Sequence, residues 1–136
     1  MKKILIITQT TNTSSGWGRY SSEIVNELKN KELEVIVIEE SERGNDLLKK
    51  GSLISFIKNI FLARRSAENV EIVHVLDGWP YSVYGYFAVI GTPKKLFINA
   101  VGTYSIPPTN LLSIKGFLMK AAYKKALKVF SISSYT

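Results

Sequence analysis

Five short apolar runs mark out this sequence, and the stretches between them are long enough for a helix; that alternation constrains the fold more than any other feature. The runs are KILIIT (3–8), LEVIVI (33–38), EIVHVL (71–76), KLFINAV (95–101) and KVFSI (128–132). They are rich in β-branched residues and most lack a polar alternation, the pattern of strands buried on both faces. From Ser21-Ser22-Glu23, residues Ile24, Val25 and Leu28 share one helical face, and the helix ends near Asn30. A second helical stretch is expected over 46–66 with a break at Gly51-Ser52, since glycine inside a helix costs roughly 1 kcal/mol against alanine. Tyr81 to Ile90, with Pro80 in the first turn, and Leu111 to Ala126 supply two more helices. Strands alternating with helices predict βαβ units, hence an α/β fold with a parallel sheet of about five strands and helices on both faces. A chain of 136 residues suits one such domain.

Composition removes several functions. There is no cysteine, which excludes a disulfide framework and thiolate chemistry, and the single histidine, His74, argues against a histidine-rich metal site or a Ser-His-Asp hydrolase. No metal site is expected. The apolar run Ile4 to Ile7 is too short for a secretory leader, and no window approaches ~18 uninterrupted apolar residues. The chain reads as cytoplasmic. Its charge is uneven. Residues 1–77 hold equal numbers of acids and bases, whereas beyond Asp77 there are seven lysines and no acid, so the whole net charge of +7 lies in the carboxy-terminal part. Such a region attracts anions or serves as a solubilising surface.

Ligands of open α/β sheets bind beyond the carboxyl ends of the strands, so the loops 9–20, 39–45, 77–81 and 101–110 hold the candidate residues. The first carries Gly16-x-Gly18-x-x-Ser21, with Glu39 and Glu40 some twenty residues on, at the end of the second strand. This is similar to a dinucleotide fingerprint, but seven residues (9–15) separate it from the strand and serine replaces the third glycine. Two other readings stand beside it: a helix amino terminus that offers N–H groups to an anion, and a sharp turn into the helix. Trp79 and Tyr81, at the exit of the third strand, are the surface candidates for stacking on a sugar, while Tyr84 and Phe87 read as core. Asp77 either accepts from sugar hydroxyls, acts as a base, or caps the turn before Pro80. His74, inside a strand, reads as a hydrogen-bonded core residue rather than a catalytic one.

Two segments are both apolar and basic: LISFIKNIFLARR (53–65) and KGFLMKAAYKKALK (115–128). They fit either an anionic membrane surface or sheet-covering helices with solvated lysines. No nucleic-acid reading motif accompanies the charge, so nucleic acid is not an expected partner.

Taken together, KILIITQ, SSGWGRYSSEIVNEL, EVIVI, VEIVHVLDGWPYSVYGYFAVIGTPKKLFINAVGTYS and LMKAAYKKALKVFSISSYT resemble the amino-terminal domain of a GT-B glycosyltransferase of the family 4 type. The resemblance covers the chain apart from about 40–70 and rests on the order of these stretches. It implies a Rossmann-like three-layer domain that takes a glycan or lipid-linked acceptor, with a carboxy-terminal donor-binding domain still missing. It further implies that Gly16, Gly18 and Arg19 face the phosphates of a nucleotide-sugar donor, and that Asp77, Trp79, Tyr81, Thr103 and Tyr104 line the acceptor side. No further cofactor is implied, and the enzyme would work at the inner face of a membrane. Val101-Gly102-Thr103 stands where many members of that family carry a histidine, so no catalytic residue is carried over. The competing reading is a stand-alone anion- or nucleotide-binding module, or the acceptor-side subunit of a split transferase. After the fifth strand, Ser133-Ser134-Tyr135-Thr136 would cap a helix that does not follow. The expectation is a fragment of a longer chain, the alternative a sheet with one face partly uncovered.

Overall fold

The computed structural model describes residues 2–14, 16–40, 47, 52–100 and 114–131. Five strands, β1 (Lys3–Ile7), β2 (Glu34–Ile38), β3 (Ile72–Val75), β4 (Lys95–Ala100) and β5 (Lys128–Ser131), alternate with four helices. The helices are α1 (Gly16–Asn30), α2 (Leu53–Ser66), α3 (Tyr81–Val89) and α4 (Ile114–Lys125). All pairings are parallel and the sheet order is β2-β1-β3-β4-β5. The expected Rossmann-like α/β fold is therefore the observed one, and the element boundaries agree within about three residues, with two exceptions. Helix α1 opens at Gly16, five residues before the expected Ser21. Leu47, expected in a helical stretch, instead forms a bridge with Glu40, while at the expected break Ser52 caps α2 by accepting from the Ser55 amide at 3.1 Å.

The strand order decides which helices lie where. The chain steps one way from β1 to β2 and the other way for every later crossover, so right-handed connections put α1 on one face and α2, α3 and α4 on the other. The two cores match this. On the three-helix face Leu5, Ile7, Val73, Val75, Leu96 and Ile98 meet Ala63 of α2, Tyr84 and Ala88 of α3 and Ala122 of α4. On the other face Ile4 and Ile6 meet Val25, with Ile24 and Leu28 of α1 packed around them. Each fully buried aliphatic side chain of this kind contributes roughly 1.5–3 kcal/mol.

Helix α3 is apolar almost all round because it is enclosed: sheet beneath, α2 and α4 on its flanks. Gly85 lets it settle onto the strands, since a Cβ there would overlap Val75 Cγ2 and lie 3.0 Å from Leu96 Cδ1. Two polar ties fix α2 beside it. Buried Asn59 donates from Nδ2 to the Tyr84 hydroxyl at 3.1 Å, and Arg64 donates to the carbonyls of Phe87 and Ile90 at 2.8 and 3.0 Å, satisfying the end of α3.

Candidate functional site

The carboxyl edge of the sheet parts between β1 and β3, the neighbours from which the chain runs in opposite directions. Thr8, just past β1, is fully buried there; its hydroxyl donates to Asp77 Oδ2 at 2.8 Å and lies 2.9 Å from Ser21 Oγ. With its proton committed to the carboxylate, Thr8 accepts from Ser21, giving a relay from α1 through β1 to the end of β3. The Gln9 amide donates to the same Asp77 oxygen at 2.8 Å.

The loop that follows is pinned rather than open. Thr11 donates from its hydroxyl to Glu39 Oε2 at 2.7 Å and from its amide to Oε1 at 3.3 Å. Asn12 and Ser14 amides donate to Thr10 Oγ1 and Asn12 Oδ1, each at 3.0 Å. Gly18, buried in the first turn of α1, sits so close to this loop that a Cβ would overlap the Asn12 carbonyl oxygen, whereas a Cβ on Gly16 would meet nothing within 4 Å. Gly18 is thus required by close approach; Gly16 is not. Gly16 and Arg19 are exposed at this edge, and the first turn of α1 holds no acid, so its positive end is not offset by its own residues.

Two of the sequence-derived sugar-side residues lie buried in the free chain. Tyr81 is 2% exposed, and its hydroxyl donates to Glu40 Oε1 at 2.7 Å. Burial, and then the Glu40 carboxylate, push its phenol far above the ordinary range, so it stays a donor. Asp77 is 4% exposed, and its Oδ2 accepts from Thr8 and Gln9. Trp79 is half-buried, one ring face stacked on Phe56 of α2 at 5.5 Å between centroids. Tyr84 is core as expected, whereas Phe87 is only half-buried. Thr103 and Tyr104 lie outside the described residues.

His74 is a structural residue. Its Nε2 lies 2.8 Å from Asn99 Oδ1, and Asn99 Nδ2 donates to the Tyr20 hydroxyl at 2.7 Å. An amide oxygen only accepts, so the neutral ring carries its proton on Nε2. Burial lowers the imidazole below its usual value, partly offset by the bond to Asn99. Its ring also packs against Phe97 and Phe130 at 6.0 Å each. Sequence reasoning found the histidine but missed its partners, as it missed Thr8 and Ser21. A threonine closing an apolar strand was the one local sign of them.

Among the described residues no cluster of three or more histidines or carboxylates could hold a metal ion, and no helix is long and apolar enough to cross a membrane. No family model matches the chain, and neither does any curated protein sequence. Among solved structures it is similar to Staphylococcus aureus homoserine dehydrogenase at pH 7.5, 14% identical over 97% of this chain and 32% of that one, with a TM-score of 0.47. The same enzyme at pH 7.0 gives 14% identity, 96% and 33% coverage and a TM-score of 0.45. The chain spans about a third of the length of those proteins. Likeness at that level carries no argument about activity.

Proposed function

We propose that this chain is the acceptor-side domain of a glycosyltransferase that moves a sugar from a nucleotide-sugar donor to a glycan or lipid-linked acceptor. One observation carries the choice over a dinucleotide reading: the carboxylates at the sheet's carboxyl edge are already engaged. A dinucleotide fold keeps an acid at the end of the second strand for the ribose. Here both Glu39 oxygens accept from Thr11, and Glu40 accepts from Tyr81. What this edge does present is the first turn of α1, with Gly16 and Arg19 exposed. That suits a diphosphate approaching from outside, held on a separate donor-binding domain, rather than a cofactor lying across the sheet.

In sugar transfer the bond from the anomeric carbon to the leaving diphosphate breaks, and a bond to the acceptor oxygen forms as that hydroxyl gives up its proton to the departing diphosphate or to water. The negative charge that grows on the leaving group is met by the positive end of α1 and by the Arg19 guanidinium. Half-buried Trp79 would offer part of its ring to the acceptor. Membrane-side work in the cytoplasm fits a lipid-linked acceptor. The chain by itself is expected to bind weakly and to turn over no nucleotide sugar.

The test is a titration of the ¹⁵N-labelled chain, read at its backbone amides, with a nucleoside diphosphate, inorganic pyrophosphate and NADP in turn. Millimolar nucleoside diphosphate and pyrophosphate should shift residues 16–20, and Arg19→Ala should weaken both. Tighter binding of NADP, or no response at these amides, would contradict the reading.

A further inference from the structure

We propose that the outer surface of α2 and α4 docks on an anionic lipid bilayer, lying on it without crossing it. This stands apart from the sugar-transfer reading and rests on three observations.

The first is a row of large apolar side chains that the core does not use. On α2, Leu53, Ile54, Ile57 and Phe61 are 73%, 68%, 45% and 69% exposed. They fall at spacings of one, four and eight from the first, a single stripe on the helix. The opposite side of α2 is the one that packs inward, through buried Asn59 and Ala63. On α4, Ile114 and Phe117 are 80% and 66% exposed. Both helices flank α3 on the same face of the sheet, so the two rows belong to one side of the molecule.

The second observation is charge. Helices α2, α3 and α4 contain no acid and seven basic residues, equal to the net charge of the entire chain. Lys58 and Arg65 border the α2 row, and Lys120 and Lys124 border that of α4; all four are exposed. Helix α1, on the other face, has two acids and two bases and leaves no large aliphatic or aromatic side chain exposed among those described.

The third is complementarity. A second copy seated on this face would bring two positive surfaces together, each with at least the four cations that border the rows. Nucleic acid offers phosphates but nothing for Leu53 or Phe61 to enter. An anionic bilayer supplies both halves at matching depth: phosphates that accept from lysine and arginine, and below them acyl chains that receive the apolar side chains.

The experiment is co-sedimentation of the full 136-residue chain with vesicles of phosphatidylcholine alone or with a third of phosphatidylglycerol. We expect pelleting with the anionic vesicles, weakened by added salt, and little with the neutral ones. The double variant Ile57→Ser/Phe61→Ser should lose at least roughly tenfold in partitioning while its circular dichroism and unfolding midpoint stay near those of the parent. Glu27→Lys raises the net charge on the α1 face and should leave partitioning within about twofold, which separates a docking face from bulk charge. The proposal is overturned by no pelleting with anionic vesicles, by equal binding to neutral ones, or by an unchanged double variant. It is also overturned if the chain dimerises and the double variant abolishes the dimer, which assigns the stripe to a second copy.

Discussion

The two faces of the sheet are built on different principles. Helix α1 meets its face through a small apolar contact around Val25 and is otherwise fixed by polar pins: Ser21 to Thr8, Tyr20 to Asn99, and the close approach of Gly18 to Asn12. The three helices opposite are fixed chiefly by volume, with Gly85 letting α3 rest on Val75 and Leu96 and with Asn59 and Arg64 tying α2 to α3, and α2 and α4 turn apolar and basic residues outward. A helix end held by directed hydrogen bonds keeps backbone groups in place at the carboxyl edge, which suits a binding site. A layer held by packing leaves its outer side chains open to another task. The lesson is that the anion-facing end of α1 and the candidate docking surface draw on opposite faces and share no residue, while Trp79, at the carboxyl edge, leans on α2.

The sharpest way to break this comparison is at the glycines. Gly18→Ala should cost about 3 kcal/mol in urea unfolding, because the loop backbone has to move, while Gly16→Ala should stay within about 0.5 kcal/mol. Equal effects would mean that the loop is not pinned on α1. Gly85→Ala should cost about 2 kcal/mol, less than Gly18→Ala, since it meets side chains that can give rather than backbone.

A smaller effect, about 1 kcal/mol, is expected for Tyr20→Phe, which takes the acceptor from Asn99 Nδ2. No loss at all would show that the Tyr20 hydroxyl does not help to hold α1. The weakest effect is the most specific. Burial holds His74 below its ordinary value, so the unfolded chain takes up a proton before the folded one does. Its contribution to stability is therefore complete above the unfolded value of about 6.5 and is lost as pH falls through the folded value. As the sole histidine it gives one Cε1 proton signal, and a midpoint at or above 6.5 would contradict the burial of its ring.

Much of the fold was legible because buried parallel strands betray themselves as β-branched runs, and KILII, EVIVI and IVHV do so without help from tertiary context. The start of α1 was not, because Gly16-Trp17-Gly18 opposes helix formation locally; the contact that demands Gly18 lies in a loop six residues earlier. Nor could the sequence show which aromatics face outward. Tyr81 and Trp79 both follow a strand exit, yet one is buried on Glu40 and the other leans on Phe56, and those partners come from distant segments. The carboxylates are the same case: Glu39 and Asp77 are ordinary acids in the sequence and acquire their tasks only when Thr11 and Thr8 are brought beside them. The basic, apolar character of 53–65 was visible at once, but not that α2 would bury Asn59 and Ala63 and leave Phe61 outside.

The division between the faces can be read most directly with an environment-sensitive fluorophore, and a chain without cysteine allows one label at a time. A cysteine carrying nitrobenzoxadiazole would be placed at Ile57 on α2, at Phe117 on α4, or at exposed Asn26 on α1. With anionic vesicles the emission at positions 57 and 117 should shift to the blue and brighten, and that at 26 should not change. A blue shift at 26, or none at 57 and 117, would contradict the account.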